Sequence, residues 1–204
     1  MKKLLLPFAL MTVFAISRLP GCLPNNFSVA YAIMFCAGVY FPGRLAWWLP
    51  FSMMLTTDLG LDLYYQQRLQ VPVFDSAALI LLGTNYLAYG ALVWLGRRYS
   101  SRDKLLPLLG GGLLGSIVFY VLTNTGAWLF NPFHNPEYTR NLSGWFIALT
   151  RGTAGYPQTW EFFRNTMISG GLFTGLFAGA MKLGEALEDS EESTPETEGE
   201  QTAS

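Results

Sequence analysis

The sequence contains few of the residues and none of the common motifs that form most enzyme active sites. Its 204 residues include one histidine, His134, and two cysteines, Cys22 and Cys36. No HExxH, GxSxG, P-loop or CxxC motif is present. The chain therefore has too few histidines and cysteines for a histidine general base or for a cluster of metal ligands. We predict that the chain is not an enzyme and has no catalytic residue, metal site or cofactor, with an intramembrane enzyme as the alternative.

Charged residues are also scarce, and they are unevenly distributed. They make up 13% of the chain, whereas soluble domains contain about 25%. Eight of the fourteen acidic residues lie between Glu185 and Glu200, so residues 1–184 carry all thirteen Lys and Arg against six acids, a net charge of +7. We predict a transmembrane domain over residues 1–184 and a disordered, acidic cytoplasmic tail over residues 185–204. Nucleic acid is not an expected partner, because the basic residues flank apolar runs and form no separate patch.

Apolar runs, in contrast, are long and numerous. A helix that crosses a bilayer needs about 20 mostly apolar residues. Six runs approach this length, and three of them are short enough to need cover from flanking sequence or neighbouring helices. The sequence therefore predicts an all-α membrane protein, a bundle of about six transmembrane helices, with Asp75 capping the fourth. The runs are residues 4–19, 27–41, 45–60, 76–96, 105–130 and 162–183.

Basic residues in the short connections predict the orientation of this bundle. Loops that carry more Lys and Arg tend to stay in the cytoplasm. Four basic residues lie between Arg97 and Lys104, in the connection between the fourth and fifth runs. With that connection inside, both termini lie in the cytoplasm, and we predict a multi-pass protein of the cell inner membrane.

The first run also resembles a secretory signal. Lys2 and Lys3 precede it, and the segment from Leu19 to Cys22 resembles a lipoprotein cleavage box. Arg18 close to the cysteine and Pro20 inside the box argue against cleavage. We expect the segment to be retained as the first span.

Several polar residues fall at the outer ends of the predicted helices. Polar groups at membrane depth are costly and often mark a functional site. A network that caps frayed helix ends is the structural alternative. Asn85 lies deeper, and we expect it to hydrogen-bond a neighbouring helix. The predicted ligand-binding residues are Arg18, Asn26, Asp58, Asn124, Trp128 and Asn165.

Small residues form a second pattern. Gly171, Gly175 and Gly179 recur every fourth residue in the last run, and Gly111 and Gly115 repeat the spacing in the fifth. Such spacing lets another helix approach closely. The partner is either a helix of the same bundle or a separate membrane subunit.

One outer connection is long, covering residues 131–161. It contains an apolar stretch, residues 145–149, that is too short to cross a bilayer. We expect this stretch to lie at the membrane interface or to re-enter it, covering the outer mouth of the bundle.

Five short segments carry a resemblance to a known family. They are Arg-Leu-Pro at 18–20, Asn-Asn-Phe-Ser at 25–28, Ala-Gly-Val-Tyr-Phe at 37–41, Thr-Asn-Thr-Gly-Ala-Trp-Leu-Phe at 123–130 and Phe-Phe-Arg-Asn-Thr at 162–166. The sequence resembles an uncharacterised family of six-helix bacterial membrane proteins. That family is similar to the substrate-binding (S) components of energy-coupling factor transporters.

The resemblance implies a function and partners. S components bind a small molecule at their outer face and associate with a membrane coupling subunit, while two cytoplasmic ATPases drive release. On this basis we expect a substrate-binding component that takes up a vitamin-sized small molecule, with a coupling subunit, ATPases and the lipid bilayer as partners. The alternative is a membrane scaffold or assembly protein with no transported ligand.

Overall fold

The computed structural model describes residues 12–19, 23, 26–70 and 75–192, and this part of the chain is helical with no β-strand. The prediction of an all-α fold is therefore confirmed. Cys22 and residues 4–11 of the expected first span lie outside the described residues. The first described helix, α1, includes residues 12–17. It is followed by α2 (Ala30–Tyr40), α3 (Leu45–Leu69), α4 (Ser76–Gly96), α5 (Leu105–Phe130), α6 (Leu142–Thr150) and α7 (Thr159–Glu192).

The two central apolar runs form helices at the predicted positions. Helices α4 and α5 begin and end where the runs do. The backbone N–H of Ala78 donates to the Asp75 carboxylate at 2.7 Å, which confirms the predicted cap. At the end of α5, Asn131 adopts a left-handed conformation (φ 38°), which asparagine tolerates better than most residues.

The third and last helices continue beyond their predicted ends. Helix α3 runs to Leu69, past the expected end at Gly60, and α7 runs to Glu192. The expected boundary between domain and tail at residue 184 therefore lies inside α7. Residues 185–192 of the predicted tail are helical, and residues 193–204 lie outside the described part of the chain, so disorder stays a prediction for residues 193–204.

Helix α2 forms the centre of the bundle. It contacts α3, α4, α5 and α7, and nine of its eleven residues are buried. Eleven residues extend about 16 Å at 1.5 Å each, which is shorter than the roughly 30 Å hydrocarbon core. Helix α2 is therefore too short to cross a bilayer by itself, and the expectation that run 27–41 forms a membrane span stays a prediction.

Glycines allow the closest approach between helices. Gly38 on α2 lies against the backbone of Gly96 on α4, and a side chain at either position would overlap the other helix. On α7, Gly171 and Gly175 face Leu113 and Leu109 of α5. At these positions the small-residue pattern serves packing inside the bundle, while no described atom lies within 4 Å of a Cβ built on Gly179.

Two described helices, Ser76–Gly96 and Leu105–Phe130, are long and apolar enough to cross a membrane. Only 22% and 33% of their most apolar windows are buried, whereas an apolar core helix of a soluble protein is mostly buried. Large apolar side chains such as Leu87 and Leu106 are 77% and 78% exposed. These surfaces are typical of a protein that lies in a membrane.

The long connection after α5 contains the short helix α6, which includes the predicted apolar stretch. The Trp145 indole N–H donates to the Thr125 hydroxyl at 2.9 Å, and the Tyr120 hydroxyl donates to the Leu149 carbonyl. Both bonds fix α6 beside the C-terminal end of α5. Its other face is open, with Leu142 and Phe146 exposed.

Candidate functional site

A cavity of about 380 Å³ lies within the bundle, toward the end at which α6 is attached. Arg18 follows α1, Asn26 precedes α2 and Thr159 begins α7, so the ends of three helices meet at the cavity. The middle of α4 and the second half of α5 complete the wall through residues such as Asn85 and Asn124. The volume is within the range of about 300–1,000 Å³ of small-molecule pockets.

Aromatic rings form one continuous wall of the cavity. The ring centroid of Phe119 lies 4.7 Å from that of Tyr31 and 5.0 Å from that of Tyr89. Phe27 and Phe162 add further apolar surface. The rings come from α2, α4, α5 and α7, so helix packing holds them in place. A wall of this kind favours a flat or apolar ligand surface.

Three asparagines supply polar groups to the cavity. The Asn124 side-chain amide donates to the Tyr120 carbonyl at 2.8 Å, which leaves its own carbonyl oxygen for another partner. Asn26 has a left-handed backbone (φ 56°). Asn85 makes no side-chain hydrogen bond to the described residues and lines the cavity. The expected bond from Asn85 to a neighbouring helix is therefore wrong, because its side chain lies where the helices separate.

Arg18 and Asp58 form an ion pair beside the cavity. The Tyr86 hydroxyl donates to the other Asp58 oxygen at 2.9 Å. The side chains of Arg18 and Asp58 are 21% and 14% exposed, so the pair is largely removed from solvent. Arg18 lines the cavity, whereas Asp58 lies behind it as the countercharge. Arg18 Nε is buried without a hydrogen-bond partner among the described residues.

The structure brings only some of the predicted site residues together. Arg18, Asn26 and Asn124 line the cavity, and Asp58 is joined to it through Arg18. The expectation that Trp128 and Asn165 share the same pocket is wrong, because neither is among the residues that line it.

Helix geometry explains both exceptions. Trp128 lies one turn, about 5.4 Å, beyond Asn124 on α5, and its indole N–H donates to the Thr139 carbonyl at 2.7 Å. On α7 the cavity face is formed by Phe162 and Thr166, which are four residues apart. Asn165 precedes Thr166 and so points about 100° away from that face.

Other lining residues escaped the sequence-based prediction. Tyr31, Tyr89 and Phe119 lie inside apolar runs, where aromatic residues usually indicate core packing. The presence of two tyrosine hydroxyls inside apolar runs was the available signal, since a buried hydroxyl normally requires a partner.

The connection at this end of the bundle has its own polar contacts. The backbone N–H of Ala154 donates to the Glu137 carboxylate at 3.0 Å. This hydrogen bond holds the pKa of Glu137 below its ordinary value, while burial raises the pKa of the neighbouring Tyr138 hydroxyl. Over the described residues, no three His, Cys, Asp or Glu side chains lie close enough together to hold a metal ion.

Comparison with known proteins identifies one family. The sequence profile of DUF6580, a family of unknown function, matches residues 1–191. No curated protein and no solved structure matches the chain significantly.

Proposed function

We propose that this chain, which belongs to the DUF6580 family, is the substrate-binding component of an energy-coupling-factor-type transporter that takes up a vitamin-sized small molecule. In this proposal it spans the inner membrane about six times with both termini in the cytoplasm. The cavity then faces the outer side. The observation that carries the proposal is the cavity of about 380 Å³ at one end of the bundle.

The distribution of apolar surface supports the membrane part of this proposal. Helices α4 and α5 meet the length and hydropathy expected of spanning helices and leave most of that surface uncovered. A multi-pass bundle places the surface against lipid and keeps the polar cavity between helices. Arg97 and Arg98, at the end of α4 opposite to the cavity, mark the cytoplasmic side under the positive-inside rule.

The lining of the cavity supports ligand binding. Asn85 and the Asn124 carbonyl are only partly buried, and they offer hydrogen bonds to the cavity that no described protein atom satisfies. The rings of Phe119, Tyr31 and Tyr89 line the cavity and give it an apolar wall whose position is fixed by their mutual contacts. A few convergent polar groups on an aromatic wall are the usual composition of a small-molecule pocket.

Energy for uptake would come from partner proteins in this proposal. The chain contains no P-loop, so a membrane coupling subunit and cytoplasmic ATPases would drive release of the ligand. Gly171 and Gly175 already face α5, and a coupling subunit would therefore have to meet a different surface, for which the open position of Gly179 is the nearest small-residue candidate.

A membrane scaffold is the second candidate function, and one set of contacts favours it. Arg18, Asp58 and Trp128 all bond to other groups of the protein, as expected of polar residues that only hold helix ends together. The scaffold function gives no role to the side-chain amide of Asn85, which bonds to no described residue.

Native mass spectrometry of protein purified in mild detergent tests the proposal. We expect a bound small molecule in wild-type protein and its loss in Asn85→Ala, which removes a cavity-lining amide. Thr56→Ala is the matched control, because its exposed hydroxyl bonds only to Ser52 of the same helix. A protein partner without any small molecule would support the scaffold instead.

A further inference from the structure

The electrostatics of the cavity restrict the charge of its ligand. Arg18 is the only Lys, Arg, Asp, Glu or His among the described lining residues. Its charge is matched by Asp58, and the Tyr86 hydroxyl bonds the same carboxylate. An ionised ligand would bring an additional charge into a site whose own charges are already paired. Transfer of an unpaired charge from water into such a site is costly.

The shape of the aromatic wall restricts the ligand further. The Phe119 ring lies at 27° to the Tyr89 ring and at 53° to the Tyr31 ring. The rings of Phe119 and Tyr89 are therefore close to parallel, at a centroid distance of 5.0 Å. Phe119, Tyr89 and Tyr31 are 9%, 7% and 5% exposed, so each ring offers the cavity a limited apolar surface, against which a planar group can pack edge to face.

The polar groups of the cavity select for a particular type of hydrogen-bonding edge. A carboxamide carries both an acceptor and two donors, and Asn26, Asn85 and Asn124 all line the cavity. One Asn124 donor is already used in the bond to Tyr120, which leaves the carbonyl as acceptor. The natural complement to such side chains is a ligand edge that itself carries C=O and N–H groups.

We infer that the ligand is an uncharged, planar ring compound with an amide-type edge, such as a lactam, a ureide or an aromatic carboxamide. This inference rests on the proposed function and names the class of ligand for the same cavity. It combines three observations: the paired charge, the aromatic wall and the asparagine side chains.

A pair of probes with the same ring and nearly the same shape, one a neutral amide with N–H donors and one an anion without them, tests the inference. We would titrate 2-naphthamide and 2-naphthoate at pH 7 into the full chain in lipid nanodiscs and correct for partition with empty nanodiscs. Wild-type protein is expected to bind the carboxamide at least roughly tenfold more tightly than the carboxylate. Asp58→Asn leaves the Arg18 charge unmatched and should shift the ratio of the two affinities toward the carboxylate by roughly 10- to 150-fold, the range for one charge-assisted hydrogen bond.

A double variant that lacks both charges keeps the inference testable if Asp58→Asn fails to fold. Asp58→Asn leaves Arg18 unpaired and is the change more prone to destabilise the bundle. Arg18→Gln combined with Asp58→Asn removes both charges, and it should keep the wild-type preference for the carboxamide. A preference for the carboxylate in this double variant would contradict the inference.

The remaining outcomes separate the ligand class from the proposed function. Wild-type protein that binds the carboxylate equally well or better overturns the ligand class but leaves a ligand-binding site. Wild-type protein that binds neither probe but carries a small molecule in native mass spectrometry likewise overturns the ligand class and leaves a ligand-binding site. Binding of neither probe together with absence of any copurified molecule overturns both.

Discussion

The guanidinium of Arg18, after α1, pairs with the carboxylate of Asp58 on α3, 40 residues further along the chain. This pair joins the lining of the cavity to a helix that packs against α2 and α4. It places a matched pair of charges beside the cavity and leaves the amides of the asparagines as the main polar groups available to a ligand.

Breaking this pair on one side should destabilise the protein more than removing both charges. Arg18→Met or Asp58→Leu alone leaves one largely buried charge without a partner, and we expect a loss of about 3–5 kcal/mol. The double variant should lose less than the sum of the two. Thermal unfolding of all four proteins in one detergent measures this, and additive losses would show that the two side chains do not interact in the membrane.

The contact between Gly38 and Gly96 should tolerate no side chain. Gly96→Ala places a methyl group against the backbone of α2 at Phe35, and we expect a loss of stability of about 1–3 kcal/mol. Gly83→Ala on the same helix is the control, since no described atom lies within 4 Å of its Cβ position, and its thermal midpoint should stay level or rise slightly. Equal losses at Gly83 and Gly96 would mean that α2 and α4 are further apart than described.

The sequence was informative about helices wherever a long apolar run ends in a polar segment. Helices α4 and α5 were predictable to the residue, since polar segments end both apolar runs and Asp75 provides a cap. The extension of α3 to Leu69 was not, because residues such as Gln66 and Gln67 give no apolar signal although they continue the helix.

The lining of the cavity was less accessible to prediction. Helices α4 and α5 are apolar on nearly all sides, so their sequences do not show which face points inward. Counting along the chain assigned Arg18, Asn26 and Asn124 to one end of the bundle, and the structure brings them to one cavity. The rotation that turns Asn165 away from the cavity, and the position of Trp128 beyond it, follow only from packing.

The contact between Glu137 and Ala154 should depend on pH. The pKa of Glu137 is lowered from 4.5 by the Ala154 N–H bond, so the contact is complete at higher pH and is lost as the pH falls through this lowered value. The amide resonance of Ala154 should therefore titrate with a midpoint below 4.5. In Glu137→Gln the resonance should not move over the same range, and a midpoint above the ordinary glutamate value in wild type would contradict the account.

The membrane topology can be tested with reporter fusions. Fusions after Gly184 should report the cytoplasm, and fusions within residues 131–160 should report the periplasm. The basis is the basic cluster between Arg97 and Lys104. A periplasmic position for Gly184 would place the cavity on the cytoplasmic side and would rule out uptake from outside.

The central claim is that the cavity between α2, α4, α5 and α7 holds a small molecule. The most direct measurement is an experimental structure of the protein purified without denaturing steps in lipid nanodiscs. We predict non-protein density against the Phe119 ring, within hydrogen-bond distance of Asn85 and the Asn124 carbonyl. A cavity that is filled by protein side chains or contains only water, in protein shown by mass spectrometry to carry a bound molecule, would contradict the claim.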